Sequence, residues 1–108
     1  MISSQLREAV GRLAWSAADQ VVYLERAGTA PSADELALEF SDALLIEREV
    51  LDEPVRSLAI LLDRHLEQMS GPRAAALWTT EALHSAPEWA LARDIATRIL
   101  AAAGGIDA

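Results

Sequence analysis

The sequence predicts an all-α fold, a single-domain bundle of about five short helices in which the first two form an antiparallel hairpin. Three observations carry that prediction. Apolar residues recur at the 3.6-residue helical period through every long segment, and no stretch shows the period-two alternation of a strand. Proline and glycine fall between these segments as punctuation, at Gly28, Pro31, Pro54, Gly71, Pro72, Pro87 and Gly104. With 108 residues, 52% hydrophobic and 24% charged, the chain is long enough for one core and too short for two.

The first helix is expected over 3–27. Ser3 or Ser4 offers a hydroxyl to the free amides of its first turn, and Gly28 supplies the left-handed residue that stops it. Its inner seam is Leu6, Val10, Leu13, Ala17, Gln20 and Leu24, with Trp15 and Val22 on another side. A tight turn at Thr29, Ala30 and Pro31 leads to the second helix, expected over 32–52 and opened by a capping box of Ser32 and Glu35. So short a connection implies the hairpin. The inner stripe of the second helix is Leu36, Phe40, Ala43, Val50 and Leu51.

Pro54 donates no backbone hydrogen bond and holds Glu53 away from helical angles, so the chain should break there, with Asp52 capping a third helix over 54–69. Val55, Leu58, Ala59, Leu62, Leu66 and Met69 give that helix a wide apolar face suited to the centre of the bundle. A fourth helix over 72–84 places Ala74, Leu77, Trp78 and Ala82 inward. Ser85 and Glu88 form a second capping box, with Pro87 in the first turn of a fifth helix over 86–103. That helix buries Trp89, Ala92, Ile95, Ala96, Ile99 and Ala103, and 104–108 reads as a tail. The tryptophans Trp15, Trp78 and Trp89 lie on or beside apolar stripes, which assigns them to packing rather than to a ligand pocket.

Charge narrows the partners. The net charge is -8, and the stretch 32–53 holds eight acids against Arg48 alone, a net -7. Such a surface repels phosphate backbones, so no nucleic-acid binding is expected and the natural partner is a basic protein. There is no cysteine, and hence no disulfide, no thiolate chemistry and no cysteine zinc site; no apolar run has the length of a membrane span, and a cytoplasmic location is expected. All nine cations are arginine, which together with abundant alanine reads as the codon bias of a GC-rich genome.

Within the second helix, Glu35, Glu39, Asp42, Ile46, Glu49 and Glu53 follow one another at spacings of 4, 3, 4, 3 and 4, which lines up five acids broken only by Ile46. Like charges at this spacing each cost about 0.2 to 0.5 kcal/mol, and Arg48 is the one cation of the helix. The ridge, with Leu38 and Leu45 beside it, is therefore the expected partner-binding surface. The plain alternative is a solvated face that keeps the protein soluble.

Catalytic patterns are scarce. The chain has no glycine-rich phosphate loop, no G-x-S-x-G and no H-E-x-x-H. Glu39-x-x-Asp42 and Glu49-x-x-Asp52 have the one-turn spacing at which two carboxylates share a Mg²⁺ ion. In this the chain resembles helical nucleotide pyrophosphatases of the MazG type over about one helix, which implies a Mg-dependent helical enzyme. It departs from them in lacking the E-x-x-E of an earlier helix and the lysines that would neutralise a polyphosphate.

A second set consists of polar residues on or near apolar faces, namely Glu47, His65, Glu81 and His84. Glu81-x-x-His84 is the one-turn pair of carboxylate-bridged di-iron bundles, but this set suffices for one metal at most. The simpler expectation is that Glu47 and Glu81 are ion-paired at the rim of the core, with Arg12 the partner of Glu47 across the hairpin, because an unpaired buried carboxylate is costly. No cofactor is expected. The function expected from the sequence is a small acidic, non-enzymatic interaction module for a basic protein, of the type of the immunity proteins that neutralise toxins. The alternatives are a carboxylate-based metal binder or enzyme, and a homodimer or self-assembling helical domain.

Overall fold

The computed structural model describes residues 2–30 and 32–104. It contains six α-helices: α1 (Ser4–Ala14), α2 (Ala17–Ala27), α3 (Asp34–Glu47), α4 (Val55–Gln68), α5 (Thr80–Ser85) and α6 (Pro87–Ala102). Two stretches of 3-10 helix, Arg48–Val50 and Pro72–Leu77, complete the path. There is no strand among the described residues, and the one β-bridge joins Ser32 to Thr79. The all-α, single-domain architecture is as expected, and the radius of gyration of 13.1 Å matches the roughly 13 Å of one compact domain of this length.

The first expected helix is two helices. Trp15 and Ser16 adopt extended angles, and the Ser16 hydroxyl accepts a hydrogen bond from the Asp19 amide, capping α2. The long hairpin therefore does not form as one unit: α1 packs against α3 and α6, whereas α2 turns aside to pack against α5. The expected seam survives the break, since Leu6, Val10, Leu13, Gln20 and Leu24 are all fully buried. Gly28 ends α2 in the left-handed conformation at φ 77°. Pro31, part of the expected turn, lies outside the described residues, as does the tail beyond Gly104.

Helix α3 is shorter than 32–52. Its N-cap is Ala33 and the expected capping box is absent: the Ser32 hydroxyl accepts from the Asp34 amide, while the Ala33 amide donates to the Trp78 carbonyl. At the other end the α-helix stops at Glu47, and Leu51 is extended. That change of phase turns Leu51 into the core and leaves Val50, expected on the inner stripe, exposed. Leu44 takes the place in the core. The N-cap of α4 is Pro54 rather than Asp52; the Asp52 carbonyl accepts from the Arg56 amide, and the Glu53 carboxylate accepts from the Ser57 amide.

The expected helix over 72–84 is a 3-10 turn followed by the short α5, which is capped by the Thr79 hydroxyl on the Ala82 amide. Ser85 does not cap α6, because its hydroxyl donates to the Glu81 carbonyl; Ala86 stands at the N-cap, with Pro87 in the first turn. The central helix is α6 rather than α4. It lies between α1 and α4 and buries Trp89, Ala92, Ile95, Ala96, Ile99 and Leu100. Two indoles pin the 3-10 turn to this frame: Trp78 Nε1 donates to the Met69 carbonyl and Trp89 Nε1 to the Leu77 carbonyl, with the rings edge to face at 5.3 Å.

Candidate functional site

The break between α1 and α2 is built around Gln20, the one buried polar residue among those described. Helix α1 ends with carbonyls that have no helical partner. Gln20 Nε2 donates to the carbonyls of Arg12 (2.9 Å) and Leu13 (3.1 Å), and so closes the gap from inside. The Gln20 carbonyl oxygen in turn accepts from Arg93, whose guanidinium also donates to the Leu83 carbonyl. Burial lowers the Arg93 pKa, and its Nε finds no acceptor. The result is one polar seam through α1, α2, α5 and α6.

On the outer side of the same break, Arg12 lies over the Tyr23 ring at 5.0 Å and forms ion pairs with Glu8 and with Glu39 of α3 at 3.3 Å. The Tyr23 hydroxyl donates to the other oxygen of Glu39. The phenol pKa is raised, first by burial and then by the hydrogen bond and the charge of Glu39. Trp15 stands edge-on to Tyr23 at 6.0 Å and remains 41% exposed, so this tryptophan is not a core residue.

This geometry redistributes the acids of the expected ridge. Glu39 is drawn inward, its side chain only 26% exposed, and it takes the arginine that the helical phase had assigned to Glu47. Glu47 instead holds the start of α1, accepting from both the amide and the hydroxyl of Ser3. A carboxylate there also faces the positive end of the α1 dipole. The reason is the helix break: once α2 bends away, α1 approaches α3 so that Ser3 meets Glu47 and Arg12 meets Glu39. Glu35 is half-buried, and Asp42 is exposed. Beyond Glu47 the row leaves the helix: Glu49 reaches Arg56 at 3.8 Å, and hydrogen bonds from Ser57 lower the pKa of Glu53.

What remains on the outer face of α3 and the turn after it is a mixed strip. Leu38, Leu45, Ile46 and Val50 are 54%, 78%, 77% and 69% exposed, interleaved with Asp42 and Glu49. Between α3 and α4 runs an open groove of about 430 Å³ whose walls include Asp34, Leu38, Asp63, Leu66, Glu67 and Trp78.

The structure does not bring Glu47, His65, Glu81 and His84 together. His65 Nε2 lies 2.8 Å from the Glu88 carbonyl, Glu81 and His84 are exposed, and Glu47 is on Ser3. Among the described residues no three histidine or acidic side chains are grouped to hold a metal ion. Nor is any described helix long and apolar enough to cross a membrane. Sequence reasoning missed the Gln20–Arg93 seam and the Arg12–Tyr23–Glu39 cluster. A signal for the break was present in Ser16-x-x-Asp19, which has capping spacing in the middle of an apparent helix. No protein-family model, curated protein or solved structure matches this chain.

Proposed function

We propose that the protein is a non-enzymatic interaction module that binds a basic protein partner through the outer face of α3 and the turn that follows it. The observation that carries this reading is the strip of Leu38, Leu45, Ile46 and Val50, four large apolar side chains more than half exposed, set among Asp42 and Glu49. Exposed apolar side chains grouped in this way are a liability unless something covers them. Carboxylates among them raise the encounter rate with a cationic surface and penalise acidic competitors. The net charge of -8 acts in the same direction. A small acidic inhibitor of the immunity or antitoxin type, which covers the nucleic-acid site of a basic toxin, is the biological role that combines these features.

The test uses the purified product of the adjacent gene as the candidate partner, with affinity measured by calorimetry at several salt concentrations. Wild-type affinity should fall as salt rises. Leu45→Ser with Ile46→Ser should weaken binding without lowering the melting temperature, and Asp42→Arg with Glu49→Arg should flatten the salt dependence. Unchanged affinity in both variants removes this face from the interaction. Sedimentation of the wild type as a dimer that Ile46→Ser dissociates assigns the strip to self-association instead.

A further inference from the structure

We infer that the groove between α3 and α4 receives an arginine side chain from an apolar-flanked basic segment of the partner. The inference rests on the interaction-module reading and names the subsite at which it discriminates. Asp34, Leu38 and Ser41 face the groove from α3 at the spacing i, i+4, i+7, and Asp63 and Glu67 face it from α4 at i, i+4, with Ser70 just beyond the end of that helix. Leu66 and Trp78 add apolar surface. The one polar atom of the Trp78 ring already donates to the Met69 carbonyl, so the ring offers the groove only its carbon surface. The Ser41 hydroxyl donates to Asp63 at 3.1 Å and ties the two helices together at that point. Among the arginines whose side chains are described, none is ion-paired with Asp34 or Glu67.

The distribution of these groups selects the occupant. Three carboxylates on the rim of an apolar trough call for a cation on an aliphatic stem. They are not grouped closely enough to hold a metal ion. A guanidinium spreads one charge over a plane with five donors, is weakly hydrated and packs on aromatic surface, whereas an ammonium is a compact point charge that retains its water. Arginine therefore fits both the spread of the acids and the indole. The groove volume lies within the roughly 300 to 1,000 Å³ of ordinary ligand sites, ample for one such side chain and its apolar neighbours.

The test titrates the full chain, labelled with ¹⁵N, with the acetylated and amidated peptide Leu-Arg-Leu-Leu-Arg, and separately with its citrulline counterpart, which has the same shape without the charge. Saturable shifts are expected at the amides of Leu38, Ser41 and Glu67 and at the Trp78 indole. The citrulline peptide should bind about tenfold more weakly or worse, a factor that corresponds to about 1.4 kcal/mol. Asp34→Asn with Glu67→Gln should produce a similar loss, whereas Glu25→Gln with Asp94→Asn, exposed acids on α2 and α6, should change affinity by less than about twofold, as exposed charges outside a site do. Equal binding of the two peptides by the wild-type protein overturns the inference, and that comparison stands even if a variant fails to fold. Shifts confined to Leu45, Ile46 and Val50 also overturn it, while leaving the interaction-module reading intact. No saturable shift anywhere removes the groove, and the module reading then stands or falls on the calorimetry with Leu45→Ser and Ile46→Ser.

Discussion

Helix is interrupted three times between Ser4 and Gln68, and the first and last of these interruptions are built on opposite plans. Between α1 and α2 the polar groups point inward: Gln20 closes the end of α1 and is itself held by Arg93, 73 residues away. Between α3 and α4 they point outward. There Glu49 reaches toward Arg56 and Glu53 caps Ser57, both among the exposed residues of the turn. The inward break depends on distant parts of the chain and forms only with the tertiary structure. The outward break is satisfied locally, and this leaves Leu45, Ile46 and Val50 facing solvent beside it. One break is closed by distant parts of the fold, and the other leaves apolar side chains exposed.

On this contrast, the largest effect should come from Arg93→Ala. It strands the buried Gln20 oxygen and the Leu83 carbonyl together and should cost about 2 to 4 kcal/mol in urea unfolding with an unchanged slope. A loss below about 1 kcal/mol would place the seam among ordinary surface contacts. Next comes Glu39→Ala, which leaves the Tyr23 hydroxyl without its acceptor and Arg12 with Glu8 alone, and should cost about 1 to 3 kcal/mol. Glu47→Ala removes the acceptor that holds Ser3 at the start of α1, with an expected loss of about 0.5 to 1.5 kcal/mol in the same assay. At the outward break, Glu49→Ala should leave stability within about 0.5 kcal/mol of wild type. Equal losses at Glu39 and Glu49 would erase the distinction.

Tyr23 sharpens the same comparison through pH. Burial, and after it the hydrogen bond and charge of Glu39, raise the phenol above its ordinary value of 10.0 in the folded protein. The folded state then holds this proton more tightly than the unfolded chain, so the associated stability is intact below pH 10 and is lost as pH rises toward the folded value. Ultraviolet titration of tyrosinate should show the protein's single tyrosine ionising above 10.0, with Glu39→Gln bringing it partway back. No movement in that variant would detach Glu39 from the cluster.

Much of this protein is legible in its sequence because burial follows period. Spacing alone identifies Leu6, Val10, Leu13, Gln20 and Leu24 as one seam, and Leu36, Phe40, Ala43, Ala59, Leu62, Trp89 and Ile99 as core. It misplaces Val50, because the 3-10 turn at Arg48–Val50 departs from the α-helical phase there. The roles of Glu39 and Glu47 are exchanged for a related reason, since the bend between α1 and α2 shifts which residues of α1 meet α3. The candidate surface is half legible: Leu38, Asp42, Leu45, Ile46 and Glu49 are exposed as expected, but the straight ridge of five acids requires a helix that in fact ends five residues early.

By itself, the sequence determined that the protein is helical, that it has one core and which residues fill most of it. The hydrophobic pattern is set within a few residues of chain, and removing apolar surface from water is the largest favourable contribution to folding. Only the tertiary structure decided where the helices stop and which acids turn inward. A cap such as Ser16 is worth about 1 kcal/mol, comparable to what a continuous helix would gain at the same place. Two near-equal local choices are resolved by packing: α2 finds α5, Gln20 finds Arg93, and Glu39 comes to lie on Arg12 and Tyr23.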